Sequence, residues 1–293
     1  MSQQLESQFM HGKICMVTGA NAGIGKETAL GLARMGATVV MVCRNRERGE
    51  RARQDIMRRS GNPSVELLLA DFASQQAIRR LAAEFQQHYQ QLHVLVNNVG
   101  SFFLWRQLSS DGIEKFLAVN HLGSFLLTNL LLDTLKTSAP ARIVNVSSVA
   151  HYSGYIDLDD LQMRRFFHPG RGYEQSKLAN VLFTYALARR LAGTGVTVNC
   201  LHPGTVATNI WVSPLPPFMR PLAVLARLFG ISPEEGAFTS LYLASSPELE
   251  GVTGKYFEKF AAKPSAPISY DINVQERLWQ ISAELTSLSE TRQ

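Results

Sequence analysis

Thr18-Gly19-Ala20-Asn21-Ala22-Gly23-Ile24-Gly25 follows a short apolar run, Ile14 to Thr18, and opens an amphipathic one, Ile24 to Met35. A strand thus runs through a glycine-rich turn into a helix. Glycine permits backbone angles closed to other residues and lets the main chain approach a ligand closely, so Gly19, Gly23 and Gly25 suit a binding turn. The exposed N–H groups and the dipole of the helix that begins near Ile24 favour an anion such as a phosphate. The spacing is G-x-x-x-G-x-G, and no Lys-Ser/Thr pair follows it, which disfavours a triphosphate loop and ATP hydrolysis. A plain structural turn is the competing reading; the strand-to-helix setting favours a nucleotide.

Outward from this turn the chain alternates short apolar runs with longer amphipathic ones. Strands are expected at Ile14 to Thr18, Thr38 to Cys43, Val65 to Ala70, Val94 to Asn97, Arg142 to Ser147, Val196 to Leu201 and Lys255 to Glu258. Helices are expected at Ile24 to Met35, Arg46 to Arg59, Gln75 to Tyr89, Gly112 to Lys136, Tyr173 to Leu191, Pro233 to Ala244 and Ile272 to Leu285. The strands lack polar alternation, as expected when both faces are covered. This predicts an α/β fold with one doubly wound, Rossmann-type sheet of seven parallel strands flanked by helices. With no Gly-, Ser- or Pro-rich linker and no internal repeat, residues 1–293 are expected to form a single domain.

One segment breaks the rhythm. Trp211 to Gly230 combines four prolines with dense apolar content, which suits neither a central strand nor a long regular helix. Residues 209–232 are therefore a candidate lid over a hydrophobic ligand, with a loop packed on the core and a peripheral membrane contact as the other two readings.

At 45% hydrophobic and 18% charged residues, the 293-residue chain can bury a sizeable core and is not disordered. The net charge of +5 raises the question of nucleic acid, but the densest basic stretch, Arg44 to Arg59, also carries Glu47, Glu50 and Asp55 at helical spacing. That pattern describes a solvated helix face, so no nucleic-acid partner is expected. Cys15, Cys43 and Cys200 lie unpaired in apolar runs, which points to buried reduced thiols and a cytoplasmic location. Met1 to Lys13 lacks the apolar core of a signal peptide, and no run of 18 apolar residues predicts a membrane span. The seven histidines show no ligand spacing, so no metal is expected. Asp157, Asp159 and Asp160 read as a turn and helix start rather than a catalytic pair.

A carboxylate roughly 20 residues after the glycine turn, at the end of the second strand, would bond the ribose 2′-hydroxyl of NAD. Here Cys43 stands at that place, followed by Arg44, and Lys26 lies just inside the first helix. Two cations and no anion match a 2′-phosphate, so NADP(H) is the expected cofactor.

Tyr173 and Lys177 stand one helical turn apart and share a face. A phenol is a poor base at neutral pH, but an ammonium at about 4 Å in an effective dielectric of about 20 contributes roughly 4 kcal/mol, enough to lower its pKa by roughly two to three. Tyr-x-x-x-Lys is common by chance, and company raises its weight. Ser148 ends the fifth expected strand and Asn97-Asn98-Val99-Gly100 ends the fourth, both at the rim where sheets of this type form their ligand crevice.

In order, TGANAGIG, Asp71, NNVG, Asn120 in VNHLG, Ser148, YEQSK and His202 to Thr208 resemble the short-chain dehydrogenase/reductase family from about Lys13 to Phe257. GANAGIGKETA, RIVNVSS, SKLANVLF, HPGTV and the gap of about 25 residues from Ser148 to Tyr173 resemble its retinol dehydrogenase-like branch. The resemblance implies an NADP-dependent oxidoreductase acting on a carbonyl or alcohol of a hydrophobic small molecule: an aldehyde, a ketone or a retinoid-like alcohol. It implies that Tyr173 exchanges a proton, that Ser148 bonds the carbonyl oxygen, and that Lys177 holds the nicotinamide ribose and lowers the phenol pKa. Asn120 would fix a water in the proton relay. Ser148 and Tyr173 would touch substrate. Gly19, Asn21, Gly23, Ile24, Gly25, Lys26, Arg44, Asp71, Asn98, Gly100, Pro203, Gly204, Val206 and Thr208, with Tyr173 and Lys177, would line the cofactor, Asp71 against the adenine. Ser147 competes with Ser148, which strand alternation and the family pattern favour.

The resemblance further implies a homodimer or homotetramer paired through the helices Gly112 to Lys136 and Tyr173 to Leu191. Val99 departs from the small alanine usual in the NNAG turn, and the N-terminal anchor of some members of that branch has no counterpart, so a membrane-bound retinoid role is not expected. The competing hypothesis is a non-catalytic dinucleotide-binding sensor or scaffold on the same fold.

Overall fold

A computed structural model describes residues 10–206 and 230–288. The chain order is β1 (Ile14–Thr18), α1 (Gly23–Arg34), β2 (Thr38–Cys43), α2 (Arg46–Ser60), β3 (Val65–Leu69), α3 (Gln75–His88) and β4 (Val94–Asn97). A broken helical stretch ending in α4 (Gly123–Leu130) and α5 (Leu132–Thr137) leads to β5 (Ala141–Val146), α6 (Pro169–Arg190) and β6 (Val196–His202). After the undescribed segment come α7 (Pro233–Ser245), β7 (Lys255–Glu258), β8 (Ala261–Lys263) and α8 (Ile272–Leu285).

The strands form one sheet in the order β3-β2-β1-β4-β5-β6-β7-β8. Neighbours from β3 to β7 are parallel, and β8 runs antiparallel to β7. The order reverses between β1 and β4, so a crevice opens there beyond the carboxyl ends of the strands. The eighth strand is a correction to the expected seven. It is three exposed residues, Ala261 to Lys263, too short and too polar in setting to leave an apolar run in the sequence.

Successive strand residues point to opposite faces, and both faces are buried. Cys15 and Val17 pack with Leu30, Leu32 and Leu243 on one side; Met16 packs with Phe85, Leu126 and Phe183 on the other. All three cysteines are free and buried. None of the described helices is long and apolar enough to cross a membrane.

Local chemistry sets the helix ends. Asn45 accepts the Arg48 N–H to start α2, which stops where Gly61 takes φ +70°. Pro169 begins α6 one turn before Tyr173, with its missing N–H at a position that needs none. The expected single helix Gly112 to Lys136 is broken instead. Gly112 adopts φ +74°, Glu114 accepts the Phe116 and Leu117 N–H groups to start a single turn, and a π-helical turn follows at Ala118–Leu122 before α4.

Helix α8 packs along α6 and α4. Trp279 meets Phe125 edge-on at 4.9 Å between ring centroids and lies 5.8 Å from Phe183, with Arg190 over its indole at 4.0 Å. Glu276 is paired with Arg189 and Arg190. By these contacts and its sheet packing, α6 is buried from Gly172 to Ala188 except at Glu174.

Candidate active site and cofactor cleft

The crevice at the strand-order reversal is a cleft of about 1100 Å³ that runs from the β2 end to the β6 end of the sheet. Its first wall is the glycine turn. Gly19 and Gly23 adopt φ +69° and +56°, and the N–H groups of Gly19 and Ala20 donate to Val42 O, which folds the turn over β2. A side chain at Gly25 would collide with Asn98 and come to 2.5 Å of Gly19 O. The start of α1 has no side-chain cap and no acid in its first turn, so its N–H groups are left for an anion at the cleft. Gly19, Asn21, Gly23, Ile24 and Gly25 all line it. This cradle fits a pyrophosphate.

Thr18 ties the two banks together, a role the sequence reading did not assign. Its hydroxyl accepts the N–H groups of Asn98 and Val99 at 2.9 and 3.2 Å and donates to Val96 O, while Asn98 Nδ2 donates to Thr18 O at 2.8 Å. The signal was a threonine at the strand end, indistinguishable by type from any other.

At the β2 end, Cys43, Arg44 and Asp71 line the cleft, and Arg44 lies 3.9 Å from Asp71. Lys26 does not. Its ammonium is paired with Asp55 at 2.7 Å, and this hydrogen bond, with help from Arg58, holds the Asp55 carboxyl at about 2 despite the opposing effect of burial. Arg48, one turn into α2, lines the cleft in its place. Helical spacing marks Arg44 to Arg59 as a solvated face, and Arg48 is indeed exposed, but spacing does not show that it borders the cleft.

At the other end Ser148, Tyr173 and Lys177 converge. Tyr173 is buried, hydrogen-bonded to Ser148, and packed between Phe102 and Phe116 at 5.7 and 6.4 Å. Lys177 is buried, donates to Val146 O at 3.2 Å and lies 5.6 Å from the centre of the Tyr173 ring. The Ser147 hydroxyl donates to Lys177 O at 2.8 Å, so it is engaged with the backbone of α6 while Ser148 faces Tyr173. Asn120 stands in the π-helical turn, fully buried and off the cleft wall. Its Oδ1 accepts the Ser101 N–H at 2.8 Å, and its Nδ2 donates to Ser101 O and Ser176 Oγ at 3.0 Å each. Gly100, Pro203, Gly204 and Val206 complete the lining; Thr208 and residues 209–229 of the expected lid lie outside the described residues.

The electrostatics differ from the expectation of an acidified phenol. Burial pushes Tyr173 up to about 12, offset only in part by the Ser148 hydrogen bond, and burial pulls Lys177 down to about 8. The reason is desolvation, the largest cause for Tyr173 and the one cause resolved for Lys177, which penalises both charged forms in the cleft.

The match to known proteins follows these positions. The family model for short chain dehydrogenases covers residues 13–214. The chain belongs to the short-chain dehydrogenase family. It is 45% identical to human retinol dehydrogenase 14 over 96% of its own length and 88% of that protein, which places it in the retinol dehydrogenase-like branch. A crystal structure of an uncharacterized protein from Mycobacterium paratuberculosis is 32% identical and superposes with a TM-score of 0.78, covering 98% of this chain and 97% of that one. A point variant of actinorhodin polyketide ketoreductase, solved with NADPH, is 26% identical with a TM-score of 0.66 over 87% of this chain and 96% of its own. As a short-chain dehydrogenase, the protein is an enzyme of an oxidoreductase family that uses nicotinamide dinucleotides.

Proposed function

We propose that the protein is an NADP(H)-dependent oxidoreductase that interconverts a carbonyl and an alcohol on a hydrophobic small molecule. The observation that carries this reading is the joining of the glycine cradle and the Ser148, Tyr173 and Lys177 cluster in one continuous cleft. Bound there, the nicotinamide supplies or accepts the hydride.

The chain's own residues account for the proton. Ser148 Oγ bonds the carbonyl oxygen and aligns it with the phenol. Held at about 12, Tyr173 stays protonated at neutral pH and is a proton donor, which suits carbonyl reduction. Lys177, at about 8, can exchange a proton near neutral pH and resupply the site. Both Nδ2 hydrogens of Asn120 are engaged with Ser101 and Ser176, so a water in the relay would have to use the remaining lone pair of Oδ1 or a main-chain group. Phe102 beside Tyr173, with Val149 and Ala150 beyond Ser148, favours an apolar substrate. A panel of aldehydes and ketones followed by loss of NADPH absorbance tests the reading; no turnover across a broad apolar panel would defeat it.

Arg44 and Arg48, rather than Lys26, are the cations placed for a 2′-phosphate. Replacing both with Ala is expected to raise the Kd for NADPH at least tenfold relative to NADH, about 1.4 kcal/mol, in fluorescence titrations. Lys26→Met should leave that ratio within about twofold. A ratio that moves with Lys26 and not with the arginines reverses the assignment.

The helical face expected to pair two subunits is covered by α8 of the same chain. A second copy would have to displace α8 to use it, so the protein is expected to run as a single chain of 32.5 kDa in light scattering at micromolar concentration. A stable dimer mass would show that pairing uses another surface or that α8 moves.

A further inference from the structure

We infer that His151 is a positioning residue for Ser148, riveting the serine's peptide to the C-terminal segment of the chain. The inference rests on the proposed contact of Ser148 with the reacting carbonyl, and it concerns a side chain that lies outside the cleft wall.

Ser148 leaves β5 in an extended conformation and caps a short 3-10 turn, Val149–Ser153, with its Oγ accepting the Ala150 N–H at 3.2 Å. Upstream it is steadied by Ser147, whose hydroxyl is bonded to α6. Downstream the turn carries exposed Val149 and Tyr152, and within the turn Ser148 O is held by a 3-10 main-chain bond, from the His151 N–H at 3.1 Å, a geometry weaker than that of an α-helix.

His151 supplies the stiffness. It is fully buried, its Nδ1 lies 2.6 Å from Ser148 O, and its Nε2 lies 3.2 Å from the Ala266 N–H, in the segment that links β8 to α8. A backbone N–H can only donate, so Nε2 is the acceptor and the proton resides on Nδ1, which donates to Ser148 O. The tautomer is thereby fixed by its two partners. The Ala266 bond needs the neutral ring, and burial favours that form.

The ring has little freedom to leave. Tyr152 and Tyr256 flank it at 4.0 and 4.5 Å between centroids, Tyr152 OH is anchored on Pro264 O and Tyr256 OH on Glu258. Ser148 O, the imidazole and Ala266 thus form a continuous path from the catalytic turn to the C-terminal segment. Rotation of the Ser148 peptide, which would swing Oγ away from Tyr173, breaks that path.

The test is a double-mutant cycle on the full chain. His151→Phe keeps a stacked ring and removes both bonds; it is expected to lower kcat about tenfold or more while the Kd for NADPH stays within about threefold. Ser148→Ala should cost much less in the His151→Phe background than in the wild type, because a misplaced hydroxyl has little left to lose. His151→Asn, whose amide can take the place of Nδ1 as donor to Ser148 O, should recover most of the lost kcat, and it keeps the test open should His151→Phe fail to fold. Additive losses, an equal fall in NADPH affinity, or no recovery with Asn would overturn the inference. A Ser148→Ala variant as active as wild type would instead defeat the proposed role of Ser148 itself.

Discussion

Tyr173→Phe is expected to lower kcat by about 10³-fold or more while leaving the Kd for NADPH within about threefold. The substitution removes one oxygen. The ring keeps its packing against Phe102 and Phe116, so neither the fold nor the glycine cradle loses a contact. What disappears is the group bonded to Ser148, the one proposed to exchange a proton with the substrate oxygen. Lys177 is not expected to take over directly, because its ammonium donates to Val146 O and lies 5.6 Å from the centre of that ring. Stopped-flow or steady-state rates beside a cofactor titration check the split. Turnover within about tenfold of the wild type would remove Tyr173 from the chemistry.

The second large effect is expected at Gly25. An alanine there would place a methyl group against Asn98 Nδ2 and 2.5 Å from Gly19 O. Gly19 is held by Val42 and Asn98 by Thr18, so neither neighbour yields freely. Overpacking of this kind costs about 1–3 kcal/mol, and any relief must come from opening the turn that cradles the pyrophosphate. We expect Gly25→Ala to lower Tm by several degrees, read by calorimetry, and to raise the Kd for NADPH by about 100-fold. Cofactor affinity within about threefold of wild type would show that the turn does not carry the phosphates.

The sheet was legible because its strands are continuous apolar runs, which only burial on both faces explains, and the observed strands lie within a residue of the expected ones. β8 was not, since three exposed residues carry no pattern. The broken stretch before α4 escaped for a different reason. A π-helical turn has the same apolar spacing as an α-helix over so few residues, and the bonds Asn120 makes from it, to Ser101 and Ser176, join residues far apart in sequence. In the site, residue type and order located Ser148, Tyr173 and Lys177, but not which of several cations turns toward the cleft. Asp55 captures Lys26 across two helices, while Arg48, though exposed, lines the cleft. The direction of the Tyr173 shift in the protein alone was not legible either, because a sequence gives spacing and no depth of burial.

The last stretch of the described chain is moored to the turn after Ser148 and to the π-helical turn. Ala266 holds His151 behind Ser148, Ser282 meets His121 next to Asn120 at 2.9 Å, and the carbonyls of Leu285 and Thr286 accept from Gln75 and Arg79 of α3. A tail that contributes no atom to the cleft wall therefore serves as its outer brace. Trimming it, nicking it or burdening it with a fusion partner would therefore disturb the backing of the Ser148 and π-helical turns without touching the cleft itself.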